Sequence, residues 1–137
     1  IIDDYGHHPE EIKAALSATK LIGEKSKVLA IFQPHRYSRL KNHFDEFCSC
    51  FNDADEVVLL NVYAAGEKQI TNCSNVDLEN GIRNYGHKNV SSMKNDEDIY
   101  KIILNKINSY QIIIFLGAGN ITKIANNLKK ELEILSK

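Results

Sequence analysis

The chain has 137 residues, 43% of them apolar and 26% charged, which suits one domain with a real core and excludes a disordered tail or two full domains. Seventeen basic residues oppose eighteen acidic ones for a net charge of −1, a balance that argues against a partner such as nucleic acid or an anionic membrane. The longest apolar runs, Ile112–Leu116 and Val28–Phe32, are far short of the ~20 residues a bilayer span needs. With no signal peptide in view and three cysteines that make no disulfide framework, the expected setting is reducing and cytoplasmic.

In chain order, Ile1-Ile2 reads as the stub of a strand. A helix follows in which Pro9 takes the first turn, Glu10 and Glu11 sit at the positive end, and Ile12, Ala15, Leu16, Thr19 and Ile22 keep helical spacing until Gly23. Val28–Phe32 (VLAIF), residues 57–60 (VVLL) and Ile112–Leu116 (IIIFL) are short, continuous and rich in branched side chains, the pattern of strands covered on both faces of a parallel sheet. Residues 89–93 read as a weaker edge strand and residues 75–85 as a shorter helix. Three further stripes run at helical spacing: Phe44, Phe47, Cys48 and Phe51; then Ile99, Ile102, Ile103 and Ile107; then Ile121, Ile124, Ala125, Leu128, Leu132 and Leu135. Cys48 and Cys50 are expected on different sides of their helix. The alternation predicts a single α/β domain over residues 1–137: a three-layer, Rossmann-like fold with a mostly parallel sheet flanked by helices.

In such sheets ligands bind beyond the carboxyl ends of the strands. The segments at those ends are 3–9 (DDYGHHP), 33–39 (QPHRYSR), 61–67 (NVYAAGE) and 117–120 (GAGN), which hold three of the five histidines and two of the three arginines. Lysines outnumber arginines fourteen to three, so the choice of Arg36 and Arg39, three apart in one loop, calls for a reason. A planar guanidinium fork grips carboxylate or phosphate bidentately, as an ammonium does not. If a short helix starts near Tyr37, both forks converge on one anion. The competing explanation is an exposed pair, or salt bridges to Asp45 and Glu46.

His7, His8 and His35 with Asp3 and Asp4 invite a zinc reading, but adjacent histidines rarely ligate one ion and no spaced Cys or His supports it. Gly117-Ala118-Gly119 between strand and helix suits a phosphate cradle or a tight turn for close packing, and it lacks the third glycine of a dinucleotide fingerprint. Ala64-Ala65-Gly66-Glu67 suits a shallow pocket or a plain loop. No nucleophile elbow or Cys–His pairing is present. The residues alone therefore describe an edge built to hold an anionic small molecule, without a complete catalytic set.

These segments, in this order, resemble the C-terminal domain of the Mur ligases. The matching pieces are Asp3-Asp4-Tyr5-Gly6-His7-His8-Pro9-x-Glu11-Ile12, then Phe32-Gln33-Pro34-His35-Arg36-Tyr37-Ser38-Arg39, with Asn52-Asp53-Ala54-Asp55, Val62-Tyr63-Ala64-Ala65-Gly66-Glu67 and Leu116-Gly117-Ala118-Gly119-x-Ile121-Thr122 following. The resemblance implies an ATP-dependent amide ligase of peptidoglycan synthesis that joins L-alanine to UDP-N-acetylmuramate through an acyl phosphate. It implies that Arg36 and Arg39 hold the alanine carboxylate, that His35, Tyr5 and His7 line the same pocket, and that Asp4 accepts hydrogen bonds from the ATP ribose. Magnesium and most of the ATP site are expected on a central domain, and the UDP-sugar on an N-terminal one. Neither lies in these residues, so the domain alone is expected to be inactive. A ligase that attaches a recycled tripeptide to the same sugar, and a stand-alone anion-binding module, are the alternatives.

Overall fold

The computed structural model describes residues 1–23 and 25–135. Five strands, β1 (Ile2–Asp4), β2 (Val28–Phe32), β3 (Glu56–Leu59), β4 (Val90–Ser92) and β5 (Ile112–Leu116), form one sheet in the order β1-β5-β2-β3-β4. Every neighbouring pair is parallel. Among the described residues six α-helices complete it: α1 (Pro9–Ile22), α2 (Tyr37–Asn42), α3 (Phe44–Ser49), α4 (Asn75–Asn84), α5 (Ile99–Lys106) and α6 (Ile121–Leu135).

The uninterrupted apolar strands follow from this layering. Val28, Ala30 and Phe32 of β2, Val57 and Leu59 of β3, and Ile112, Ile114 and Leu116 of β5 face one core, shared with Ile12 and Leu16 of α1, Leu40 of α2, Phe47 of α3 and Leu78 and Ile82 of α4. The alternate residues, Leu29 and Ile31, Val58, Ile113 and Phe115, face a second core built with Ile99 and Ile103 of α5 and Ile121, Ile124, Ala125 and Leu128 of α6. A strand with two buried faces has no polar alternation to show.

Local chemistry sets the helix limits. His8 caps α1: its ring accepts from the Glu10 amide, while the Glu11 side chain accepts from the His8 amide, closing a capping box ahead of Pro9. Ser74 and Asp77 do the same for α4. Asn75, buried at the start of α4, donates to the Met93 carbonyl at 2.9 Å and ties that helix to the end of β4.

Two expectations need correction. Phe51 and Ile107 fall just past α3 and α5, because both helices end sooner than the stripes suggest. Cys48 and Cys50 are both buried in one core, Cys48 Sγ against Gly81 of α4 and the Cys50 thiol, at the C-cap of α3, donating to the Phe47 carbonyl at 3.4 Å. Leu135 continues the α6 periodicity but is 69% exposed, since that end of α6 has run past the apolar surface it covers. Among the described residues no helix is long and apolar enough to cross a membrane.

Candidate functional site

The sheet order places a switch point between β5 and β2. The chain leaves β2 toward the layer holding α2, and leaves β5 toward the layer holding α6. Loops that part in this way open a crevice at the carboxyl end of the sheet. Gln33, only 2% exposed, spans its floor. Its amide donates to the Leu116 carbonyl at 3.0 Å, and its Oε1 accepts from the Ile121 amide at 3.1 Å, satisfying one of the orphan donors at the start of α6.

That arrangement explains the glycines of the 117–120 loop. Gly117 has φ +147°, and a Cβ there would lie 2.9 Å from the Gln33 carbonyl oxygen; one on Gly119 would lie 2.7 Å from Gln33 Oε1 and 2.9 Å from the Tyr63 ring. The glycines permit close packing between β5 and β2, the second of the two readings the sequence allows.

Beyond Phe32 the chain continues as an irregular extension of the sheet. Tyr63 donates its amide to the Pro34 carbonyl and accepts from the Arg36 amide, both at 2.7 Å, making a parallel bridge between His35 and Tyr63. The His35 and Tyr63 rings stack at 5.4 Å and 13°. At Arg36 the backbone then turns to φ 72°, ψ 133° before α2 begins at Tyr37. A residue with a Cβ rarely holds such angles, which cost of order 1–3 kcal/mol and concentrate at functional positions.

The structure brings the candidate residues to one edge. Arg39 Nη1 donates to His35 Nδ1 at 3.2 Å and reaches the His35 carbonyl at 3.4 Å. A guanidinium can only donate, so Nδ1 is an acceptor and His35 is the neutral Nε2–H tautomer. Burial, and then the charges of Arg39, Arg36 and His7, hold its pKa below the ordinary value, with Glu67 opposing. His7 lies 6.2 Å from His35 and 5.8 Å from Tyr5, ring to ring, and its Nδ1 donates to the Tyr5 carbonyl at 3.1 Å. Tyr5 is 68% exposed at the rim. Asp4, at the end of β1, accepts from the Gly6 amide through Oδ1 at 2.8 Å; its Oδ2 takes no hydrogen bond from the described residues.

Arg36 is exposed, and its guanidinium forms no hydrogen bond or ion pair with any described residue; neither arginine pairs with Asp45 or Glu46. Of the competing explanation, the salt bridges to Asp45 and Glu46 are absent among the described residues, while the exposure of Arg36 is common to an exposed pair and to a group awaiting an anion. His8 is set apart from this group: it caps α1 and meets His43 edge-on at 4.7 Å. Among the described residues no group of three or more His, Cys, Asp and Glu converges as metal ligands do. The sequence gives little notice of Gln33 and Tyr63, whose parts depend on tertiary contact; a glutamine following an apolar strand is the sole signal.

Residues 1–119 match the family described as Mur ligase, glutamate ligase domain. The UDP-N-acetylmuramate--L-alanine ligase of Rhodospirillum centenum is 46% identical over 98% of the chain, which spans 28% of that relative's length. Among solved structures, the UDP-N-acetylmuramate-alanine ligase of Thermotoga maritima superposes with a TM-score of 0.72 at 27% identity, covering 98% of this chain and 26% of that one. The murein peptide ligase of Psychrobacter arcticus superposes at 0.70 with 20% identity, covering 93% of this chain and 26% of its own, a likeness of fold alone. With the family match running through all five strands, this chain belongs to the Mur ligases and carries their glutamate ligase domain.

Proposed function

We propose that this chain is the C-terminal domain of a ligase that joins L-alanine to UDP-N-acetylmuramate in peptidoglycan synthesis, where it clamps the incoming amino acid and closes over ATP. The observation that carries this reading is the unpaired Arg36 guanidinium, held on a strained backbone beside Arg39 and a neutral His35. Such a group is poised for an anion that arrives from outside. Arg36 and Arg39 hold the alanine carboxylate with charge-assisted hydrogen bonds, contributing about 1.5–3 kcal/mol each. Fixing that end aims the free amine at the activated carbonyl and turns an encounter of two molecules into a reaction within one complex. Neutral His35 leaves both arginine charges to the carboxylate, while Tyr5 and His7 line the approach and exclude water.

ATP supplies the phosphoryl group that activates the muramoyl carboxylate. Asp4 fits an acceptor role toward its ribose, since Oδ1 is engaged with Gly6 and Oδ2 is left for a hydroxyl. Magnesium and the UDP-sugar belong in this reading to central and N-terminal domains of the same protein, which acts in the cytoplasm. The isolated domain has no turnover of its own.

The test follows phosphate release from ATP by the longer protein containing this chain, given UDP-N-acetylmuramate with and without L-alanine. Alanine-dependent release that drops roughly 10- to 100-fold in Arg36→Ala is the expected result. Release that responds instead to a tripeptide moves the assignment to the recycling ligase. Alanine-dependent release indifferent to Arg36 keeps the ligase and removes the clamp.

A further inference from the structure

The helix that presents the arginines is poorly made by its own sequence. α2 has six residues, its N-cap Arg36 supplies no side-chain hydrogen bond, and its first turn contains no acidic residue. Its first amides would be left without partners. The partner comes from another loop: Glu67 accepts from the Ser38 amide through Oε1 at 3.1 Å and from the Ser38 hydroxyl through Oε2 at 2.5 Å. The turn that delivers Glu67 is itself special, with Ala65 at φ 51° and Gly66 at φ 87°, and the Glu67 amide closes it onto the Ala64 carbonyl at 3.0 Å. A Cβ on Gly66 would meet nothing within 4 Å, so the glycine serves the backbone angle and not the space.

Resting on the reading of Arg36 and Arg39 as a carboxylate clamp, we propose that Glu67 is the positioning residue of that clamp, holding the start of α2 through Ser38 so that both guanidinium forks stay set toward the amino acid. Two features favour this over a plain loop contact. Both Glu67 oxygens are committed to Ser38, so the carboxylate lies near Arg36 without forming an ion pair with it. It thus steadies the helix and leaves the Arg36 guanidinium available. The same turn also carries Tyr63, whose backbone fixes the Arg36 amide and whose ring stacks on His35, so one loop sets the clamp from two sides. The Ser38 hydroxyl and amide, with Arg36 nearby, hold the Glu67 carboxyl below its usual range against the opposing effect of burial, and it stays ionised at neutral pH.

The test uses the longer protein and measures KM for each of the three substrates in Glu67→Ala, Glu67→Gln and Ser38→Ala, alone and combined with Arg36→Ala. Glu67→Ala is expected to raise the alanine KM about tenfold and to leave those for ATP and UDP-N-acetylmuramate within about twofold, with the two milder variants between. In the Arg36→Ala background the same change should add clearly less than about tenfold, because only Arg39 then remains for it to position. Equal losses for all three substrates, or full additivity with Arg36→Ala, would overturn the inference, as would an unchanged alanine KM. Should Glu67→Ala fail to fold, Ser38→Ala and Glu67→Gln decide the question, each removing part of the anchor. An Arg36→Ala variant that keeps full alanine use defeats the clamp reading itself. A damaged Arg36→Ala beside intact Glu67 variants defeats this inference alone.

Discussion

The two ends of the sheet treat their polar groups in opposite ways. At the amino end the charges are matched locally. Glu56, buried at the start of β3, accepts from Lys106 at 2.9 Å and from the Tyr110 hydroxyl. Asp55 accepts from the Val28 amide at 2.7 Å, and His87 Nε2 donates to the Ala54 carbonyl at 2.7 Å. At the carboxyl end Arg36 is unpaired on a strained backbone, and Asp3 Oδ1 is buried without a hydrogen bond from the described residues. One end minimises its own free energy; the other keeps groups in readiness at a cost in stability. Local rules that fail at one edge while holding elsewhere support the site proposed at that edge.

If the ends have these separate duties, variants should divide cleanly between activity and stability. Arg36→Ala in the longer protein is expected to lower alanine-dependent phosphate release by roughly one to two orders of magnitude, with urea denaturation of the present chain shifted little. Glu56→Ala should do the reverse, lowering stability in the same denaturation experiment by about 2 kcal/mol. That is less than a fully buried pair would lose, because Lys106 is 37% exposed and regains water. An alanine KM unchanged in Glu56→Ala would sharpen the division, and a raised one would break it. Arg36→Gly should stabilise the chain by about 1 kcal/mol as the backbone strain is relieved, and still lose alanine use. A fall in stability there would mean that the carboxyl end is not strained.

The pH dependence divides the ends as well. Burial, then the hydrogen bond to Glu56, pushes the Tyr110 hydroxyl up to about 12. Its folded value lies above the unfolded one near 10, so its contribution is complete below pH ~10 and is lost as pH rises through about 12. Tyr110→Phe should flatten that alkaline decline in a denaturation series. His35 has the opposite sign. Its folded value is depressed, so its contribution is full above pH ~6.5 and falls away as pH drops through the lowered value. His35→Gln should remove this smaller acid slope.

What the sequence discloses follows the same division. Strands with both faces buried announce themselves as continuous branched runs, and Pro9, Gly23 and the α4 region mark their helices because caps and stops are local. The clamp candidates are legible because arginine is chosen twice in a chain that prefers lysine. Glu67 is not, since its partner Ser38 lies 29 positions away and nothing local to Ala-Ala-Gly-Glu specifies that contact. Phe51 and Leu135 mislead because periodicity knows nothing of where a helix ends or where its supporting surface stops. Gln33 is hidden for a similar reason, being a polar residue whose partners come from a strand and a helix near the far end of the chain.

Gln33 also bears on how such a site can change over generations. With Gly117 and Gly119 pressed against it and against Tyr63, the floor of the crevice admits no added side chain without a second, compensating change. The rim has more room for single substitutions, since Tyr5 and the exposed part of the Arg36 loop stand in solvent. On the proposed reading of the site, a lineage exploring new amino-acid substrates would vary the rim first, and its floor would pass through that history almost unaltered.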